Sequence, residues 1–133
     1  MPLLLSDAEK VVHAAIAHAT KLGIRVSVAV VDEGAHLIVL ERMDGAMPIS
    51  PQIAEGKAVG AAMFRRDGAA LLTIANDRPA FFNAVSAMAR TLVPGPGSVV
   101  VTRDQAVVGA VGVSGGKPEQ DLECAEAGIS SLE

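Results

Sequence analysis

The stretch GAVGVSGGKPEQD, residues 109–121, decides the fold because it joins a strand to a helix through a glycine turn. Its first part is rich in valine and predicts a strand. The two adjacent glycines predict a turn, and Pro118 fits the first position of a helix. Within the stretch, residues 112–116 read GVSGG and match G-x-S-x-G, the nucleophile elbow of serine hydrolases. The stretch therefore raises the question of whether its serine is catalytic.

The hydrolase interpretation of Ser114 fails for lack of a partner. Enzymes with this elbow carry their acid and their histidine after the serine in the chain. Every histidine here precedes Ser114: His13, His18 and His36. A glycine turn that opens a helix presents free backbone N–H groups, which favour an anion. Gly115 and Gly116 are thus a candidate anion site, or else a capped turn whose acidic residues complement the helix dipole.

Outward from this stretch, hydrophobic periodicity predicts elements in the order α-ββ-αα-ββ-α. The predicted elements are a first helix with a capping box at Ser6 and Glu9 that ends at Gly23, hairpins over residues 24–42 and 98–113, a helix over residues 50–64, and helices that begin near Asn76 and Pro118. Hairpins favour an antiparallel sheet with helices packed on it. We therefore predict one α/β domain of the α+β type over residues 1–133.

Composition restricts the function classes. Half of the chain is hydrophobic and the mean hydropathy is +0.41, so some apolar surface is predicted to be buried between subunits. The net charge is −4 and no basic cluster is present, which argues against nucleic acid as a partner. The lone Cys124 makes no internal disulfide. No signal peptide and no apolar run of the ~18–20 residues of a membrane span is found, so we expect a cytoplasmic protein without a membrane partner.

Three segments resemble the GlcG/HbpS family, which includes the C-terminal domain of PduO-type proteins. They are VAVVDEGAHLIVLERMDGA (residues 28–46), IAEGKAVGAA (53–62) and VVGAVGVSGGKPEQDLECAEAGI (107–129). The likeness runs nearly end to end, although the loop at residues 94–98 departs from the family pattern. It implies an antiparallel sheet with helices and homo-oligomers from dimers to octamers. Several members bind haem, and others are encoded beside catabolic genes.

Haem needs an axial ligand for its iron, and its propionates need cations or N–H donors. The resemblance implies a histidine ligand on the first helix, where His18 flanks the apolar face; the alternative is a half-exposed surface histidine. His18 is therefore the candidate metal ligand. The other candidate ligand-binding residues are Arg42, Asp44, Lys57, Gly115, Gly116 and Asp121. Arg42 could instead be a surface residue at a strand end, Lys57 a snorkelling side chain, and Asp121 a partner of the helix dipole.

These residues support three hypotheses about function. The first is a binding protein for a small, largely apolar anion near a subunit interface, with haem as the first candidate. The second is a lyase- or isomerase-like enzyme of a catabolic pathway that acts on an aromatic or hydroxy acid. This enzyme hypothesis is favoured if Arg42, Lys57 and Asp121 surround one cavity without a histidine. No catalytic residue is identified for it. The third is an assembly module without a ligand.

Overall fold

Helices pack on both faces of an antiparallel sheet in the computed structural model, which describes residues 2–88 and 90–133. In these ranges the helices are α1 (Leu5–Leu22), α2 (Ser50–Phe64), α3 (Gly68–Asp77), α4 (Pro79–Met88) and α5 (Pro118–Ser130). The strands are β1 (Ser27–Asp32), β2 (Leu37–Arg42), β3 (Ser98–Arg103) and β4 (Ala106–Ser114). The sheet order is β2-β1-β4-β3 with antiparallel pairing throughout. The predicted α+β fold of two hairpins and packed helices is confirmed.

The structure adds helix α3 between the two central helices that periodicity predicts. Helix α2 ends at Phe64 and is followed by Arg65, whose φ of 55° is left-handed, and α3 starts at Gly68. A Cβ atom on Gly68 would lie 2.0 Å from the carbonyl oxygen of Gly95, so only glycine fits at the first residue of α3.

Within the described residues, no helix combines the length and the apolar character needed to cross a membrane.

Helix α1 starts differently from the sequence prediction. The helix begins at Leu5, and the Asp7 carboxylate accepts the backbone N–H of Leu4 at 3.0 Å. The capping box predicted at Ser6 and Glu9 is therefore wrong, because Asp7 occupies the position from which a side chain reaches back to the cap. Asp7 also pairs with Arg103 at 3.1 Å, so the end of β3 holds the start of α1.

Alternate residues of β1 and β4 supply the two apolar cores. One core joins the sheet to α1 and α5 through Val11, Val12, Val28, Val30, Val111, Val113, Cys124 and Ala125. The other joins it to α2, α3 and α4 through Ala29, Val31, Ala58, Ala62, Leu71, Phe82 and Ala110. Helix α2 lies very close to the sheet at Gly112. A Cβ atom on this residue would be 2.2 Å from the carbonyl oxygen of Ala54, so only glycine allows the approach. This contact places Lys57 of α2 beside the end of β4.

Candidate functional site

A buried ion pair joins α2 to α5. Lys57 Nζ lies 3.1 Å from Asp121 Oδ2 and donates to the carbonyl oxygen of Val113 at 2.9 Å. The Lys57 and Asp121 side chains are 9% and 5% exposed. Both acceptors of the amine belong to the interior of the chain, so Lys57 does not snorkel. Its charge is compensated inside the chain, and an external anion could bind it only in competition with Asp121.

The glycine turn after β4 binds the same carboxylate. The Gly116 N–H donates to Asp121 Oδ1 at 2.8 Å. Gly115 has a φ of +143°, and a Cβ atom there would lie 2.2 Å from the carbonyl oxygen of Arg25, which excludes other residues. The turn thus holds an anion, as free N–H groups at a helix start favour. That anion is the chain's own Asp121.

The loop before β3 covers the ion pair. Gly97 has a φ of +120° and accepts the Val113 N–H at 2.8 Å through its carbonyl oxygen. A Cβ atom on Gly97 would lie 2.7 Å from Lys57 Nζ and 3.0 Å from Asp121 Cβ. Only a glycine fits over the pair, which gives the proline- and glycine-rich loop at residues 94–98 a structural role.

Burial governs the titration of this region. It raises the pKa of Asp121, while the Lys57 ammonium and the Gly116 N–H oppose the rise. Burial also raises the pKa of Cys124 to about 11, with smaller effects from the Asp121 and Glu123 carboxylates. The thiol is therefore protonated near neutral pH and is a poor nucleophile.

His18 belongs to α1 and contacts a different side of α5 from the side that carries Asp121 of the ion pair. Its Nε2 is 3.2 Å from Glu123 Oε2, and its side chain is 31% exposed. Residues two apart on a helix do not face each other, so Glu123 points away from the direction of Asp121. Lys21 and Leu22 follow His18 by three and four residues and share its surface of α1. Among the described residues, no three His, Cys, Asp or Glu side chains form a group that could hold a metal ion.

Arg42 and Asp44 lie at the end of β2, outside the ion-pair cluster. Arg42 is exposed and is paired across the sheet with Ser27. The main-chain oxygen of Asp44 accepts Arg25 Nη1 at 2.7 Å. Within the part of the chain described, no hydrogen bond or ion pair joins Arg42 to Lys57 or to Asp121. The structure therefore brings Lys57, Gly115, Gly116 and Asp121 together and leaves His18, Arg42 and Asp44 elsewhere.

Sequence reasoning missed two contributors to these sites. One is Glu123, whose side chain is 53% exposed and contacts His18, a residue 105 positions away in the chain. The other is Gly97, in the loop at residues 94–98. A glycine in a loop often indicates a positive φ, which Gly97 has. The sequence does not indicate which buried side chains lie under that glycine.

Known proteins share this fold. The chain belongs to the HbpS-like family, whose model, described as haem degrading protein HbpS-like, matches residues 3–130. It is 41% identical to Protein GlcG of Escherichia coli K12 over 90 residues, which are 67% of this chain and 63% of GlcG. The chain thus spans less than two thirds of the length of that curated relative.

Solved structures show the same fold over nearly the whole chain. A crystal structure of a PduOC–haem complex resembles this chain with a TM-score of 0.88 and 27% sequence identity. The match covers 98% of this chain and 95% of the PduOC chain. A double mutant of HbpS from Streptomyces reticuli has a TM-score of 0.91 and 31% identity, and covers 100% of this chain and 88% of that one. These likenesses confirm the predicted family.

Proposed function

We propose that the protein binds haem, or a similar apolar anion, at a surface that includes His18 and lies near a subunit interface. The observation that carries this proposal is the likeness to the PduOC–haem complex, which extends over 98% of the chain at a TM-score of 0.88. The HbpS structures support it through the same fold. A cytoplasmic location and the absence of a nucleic-acid partner stay predictions from the sequence.

The residues around His18 fit the chemical needs of haem. His18 uses Nε2 in its contact with Glu123, which leaves Nδ1 as the ring nitrogen that would bind the iron. A carboxylate partner of this kind orients a ligating imidazole and makes it more basic. Leu22 is an exposed apolar side chain, and Lys21 is an exposed cation for a propionate. Bound haem would supply a redox-active iron.

Exposed apolar side chains support a homo-oligomer. Leu40, Met47 and Ile49 are 36%, 60% and 48% exposed, and they occur close in sequence to Arg42 and Asp44. Apolar surface of this kind is often an interaction site. We propose that Arg42 and Asp44 contribute to the ligand site from a neighbouring subunit. Sedimentation at micromolar concentration should show a species heavier than the 13.6 kDa chain, whereas a single 13.6 kDa species would contradict the interface.

The enzyme hypothesis is favoured if Arg42, Lys57 and Asp121 surround one cavity without a histidine. Lys57 and Asp121 instead bind each other in the interior, and Arg42 is exposed at a strand end. The geometry therefore gives a lyase- or isomerase-like reaction no support, and haem binding is the better conclusion.

A haemin titration followed by visible absorbance tests the role of His18. We expect His18→Ala to shift the Soret band and to weaken binding, because it removes the proposed iron ligand. His13→Ala is the matched control, since His13 lies on the same helix with Nε2 3.7 Å from Glu41 Oε2. Identical spectra and affinities for the wild type and both variants would exclude His18 as the ligand.

A further inference from the structure

A groove of about 230 Å³ lies along α2, and Lys57 is not part of it. One wall is the helix stripe of Gln52, Glu55, Gly56 and Val59, whose spacing places these residues on a single face. The other wall is Arg90 and Thr91, from the segment that leads to β3. The groove is thus separate from the ion pair and from His18.

Gly56 gives the groove its shape. A Cβ atom on Gly56 would lie 2.6 Å from Val93 Cγ2, and the Val93 N–H donates to the carbonyl oxygen of Gly56 at 3.2 Å. Residues 91–93 therefore lie directly against the helix backbone. Arg90 is anchored because its guanidinium donates to the carbonyl oxygen of Ala35. The two walls are held by contacts within the chain and do not need a ligand to form.

The groove carries one charge of each sign, contributed by opposite walls. Glu55 and Arg90 both line it, yet in the described part of the chain they form no ion pair with each other. A carboxylate only accepts hydrogen bonds, whereas a guanidinium has five N–H donors, of which Arg90 uses one on Ala35. The groove therefore offers an acceptor for a cation and several donors for an anion. Val59, which is 2% exposed, adds a small apolar patch to its lining.

We propose that this groove binds a small zwitterion of the α-amino acid class with a short apolar side chain. The ligand's ammonium group would contact Glu55, its carboxylate would contact Arg90, and its side chain would lie against Val59 and Gly56. Pockets for drug-sized ligands measure roughly 300–1,000 Å³, so a groove of about 230 Å³ suits a smaller molecule and is too small for haem. The inference is thus independent of the proposed haem site.

Titration of the ¹⁵N-labelled protein with L-valine tests the proposal, with two probes that each lack one charge. Isovalerate is valine without its ammonium group, and isobutylamine is valine without its carboxylate. We expect L-valine to shift the amide resonances of residues 52–59 and 90–93. Each single-charge probe should bind at least about ten-fold more weakly, because it loses one charge-assisted hydrogen bond. Equal affinities for L-valine and the two probes, or shifts confined to other regions, would overturn the proposal.

Variants of the two charged walls provide a second measurement. Glu55→Gln and Arg90→Gln should each weaken L-valine binding about ten-fold or more, and neither should alter the haemin titration. Glu119→Gln and Arg66→Gln are matched controls, since both residues are exposed and lie outside the groove. Unchanged L-valine binding in both groove variants would refute the assignment. If haemin binding fails in the wild type while L-valine binds as expected, the haem proposal is wrong and the groove stands.

Discussion

Replacing Lys57 by methionine removes the ammonium group and keeps most of the apolar stem. Asp121 is then left 5% exposed without its cationic partner, although it still accepts the Gly116 N–H. Breaking a buried ion pair on one side costs about 3–5 kcal/mol, because the remaining charge stays in a poorly solvated place. In a domain of this size, a loss of that magnitude lowers Tm by roughly 10–20 °C.

Thermal and urea denaturation of Lys57→Met, Asp121→Leu and the double variant measure this effect as a cycle. We expect the double variant to be more stable than the sum of the single changes allows, because no buried charge is left unpaired. Lys10→Met is the control, as Lys10 is exposed on α1. The reasoning is refuted if Lys57→Met keeps the wild-type Tm but binds haemin or another anionic ligand more weakly. That result would mean that Lys57 lines an open anion site.

Two further changes probe the same region. Gly97→Ala should lose about 2–4 kcal/mol of unfolding free energy in urea, since a side chain at a φ of +120° is strained and would crowd Lys57 Nζ; wild-type stability would mean that the loop moves freely off the ion pair. Cys124 should not react with Ellman's reagent in the native protein near neutral pH and should react fully in guanidinium chloride, because its pKa is raised to about 11 by burial. Rapid native labelling would show that α5 opens from the sheet.

Local patterns were sufficient to predict most of the fold. Alternating residues and turn signals predicted both hairpins, since strand periodicity and turn chemistry act within a few residues. Helix α3 was missed because it begins at Gly68, and glycine is a poor helix former. Only the contact of Gly68 with the carbonyl oxygen of Gly95, across 27 positions, explains that choice. Such a tertiary contact leaves no periodic trace in the sequence.

The part of the candidate site formed by residues close in sequence could be predicted, whereas the part formed by residues far apart in sequence could not. The turn at Gly115 and Gly116 was expected to be an anion site or a capped turn completed by acidic residues of the following helix, because a helix start exposes N–H groups. The identity of that anion depends on Asp121, which lies five residues after Gly116. The pairing of Asp121 with Lys57 spans 64 residues and follows from the close approach of α2 to β4, which no spacing rule encodes.

The separation of Lys57 from Asp121 along the chain has a consequence for synthesis on the ribosome. At translation rates of about 5–20 residues per second, roughly 3–13 s pass between the addition of Lys57 and that of Asp121. During this interval β1 also lacks its neighbour β4, so one edge of the first hairpin is open. A nascent chain in this state exposes apolar α2 and an unpaired strand edge, the features that bind chaperones and promote aggregation. Slow codons placed between α2 and β4 should therefore lower the soluble yield, whereas the same codons placed after α5 should not.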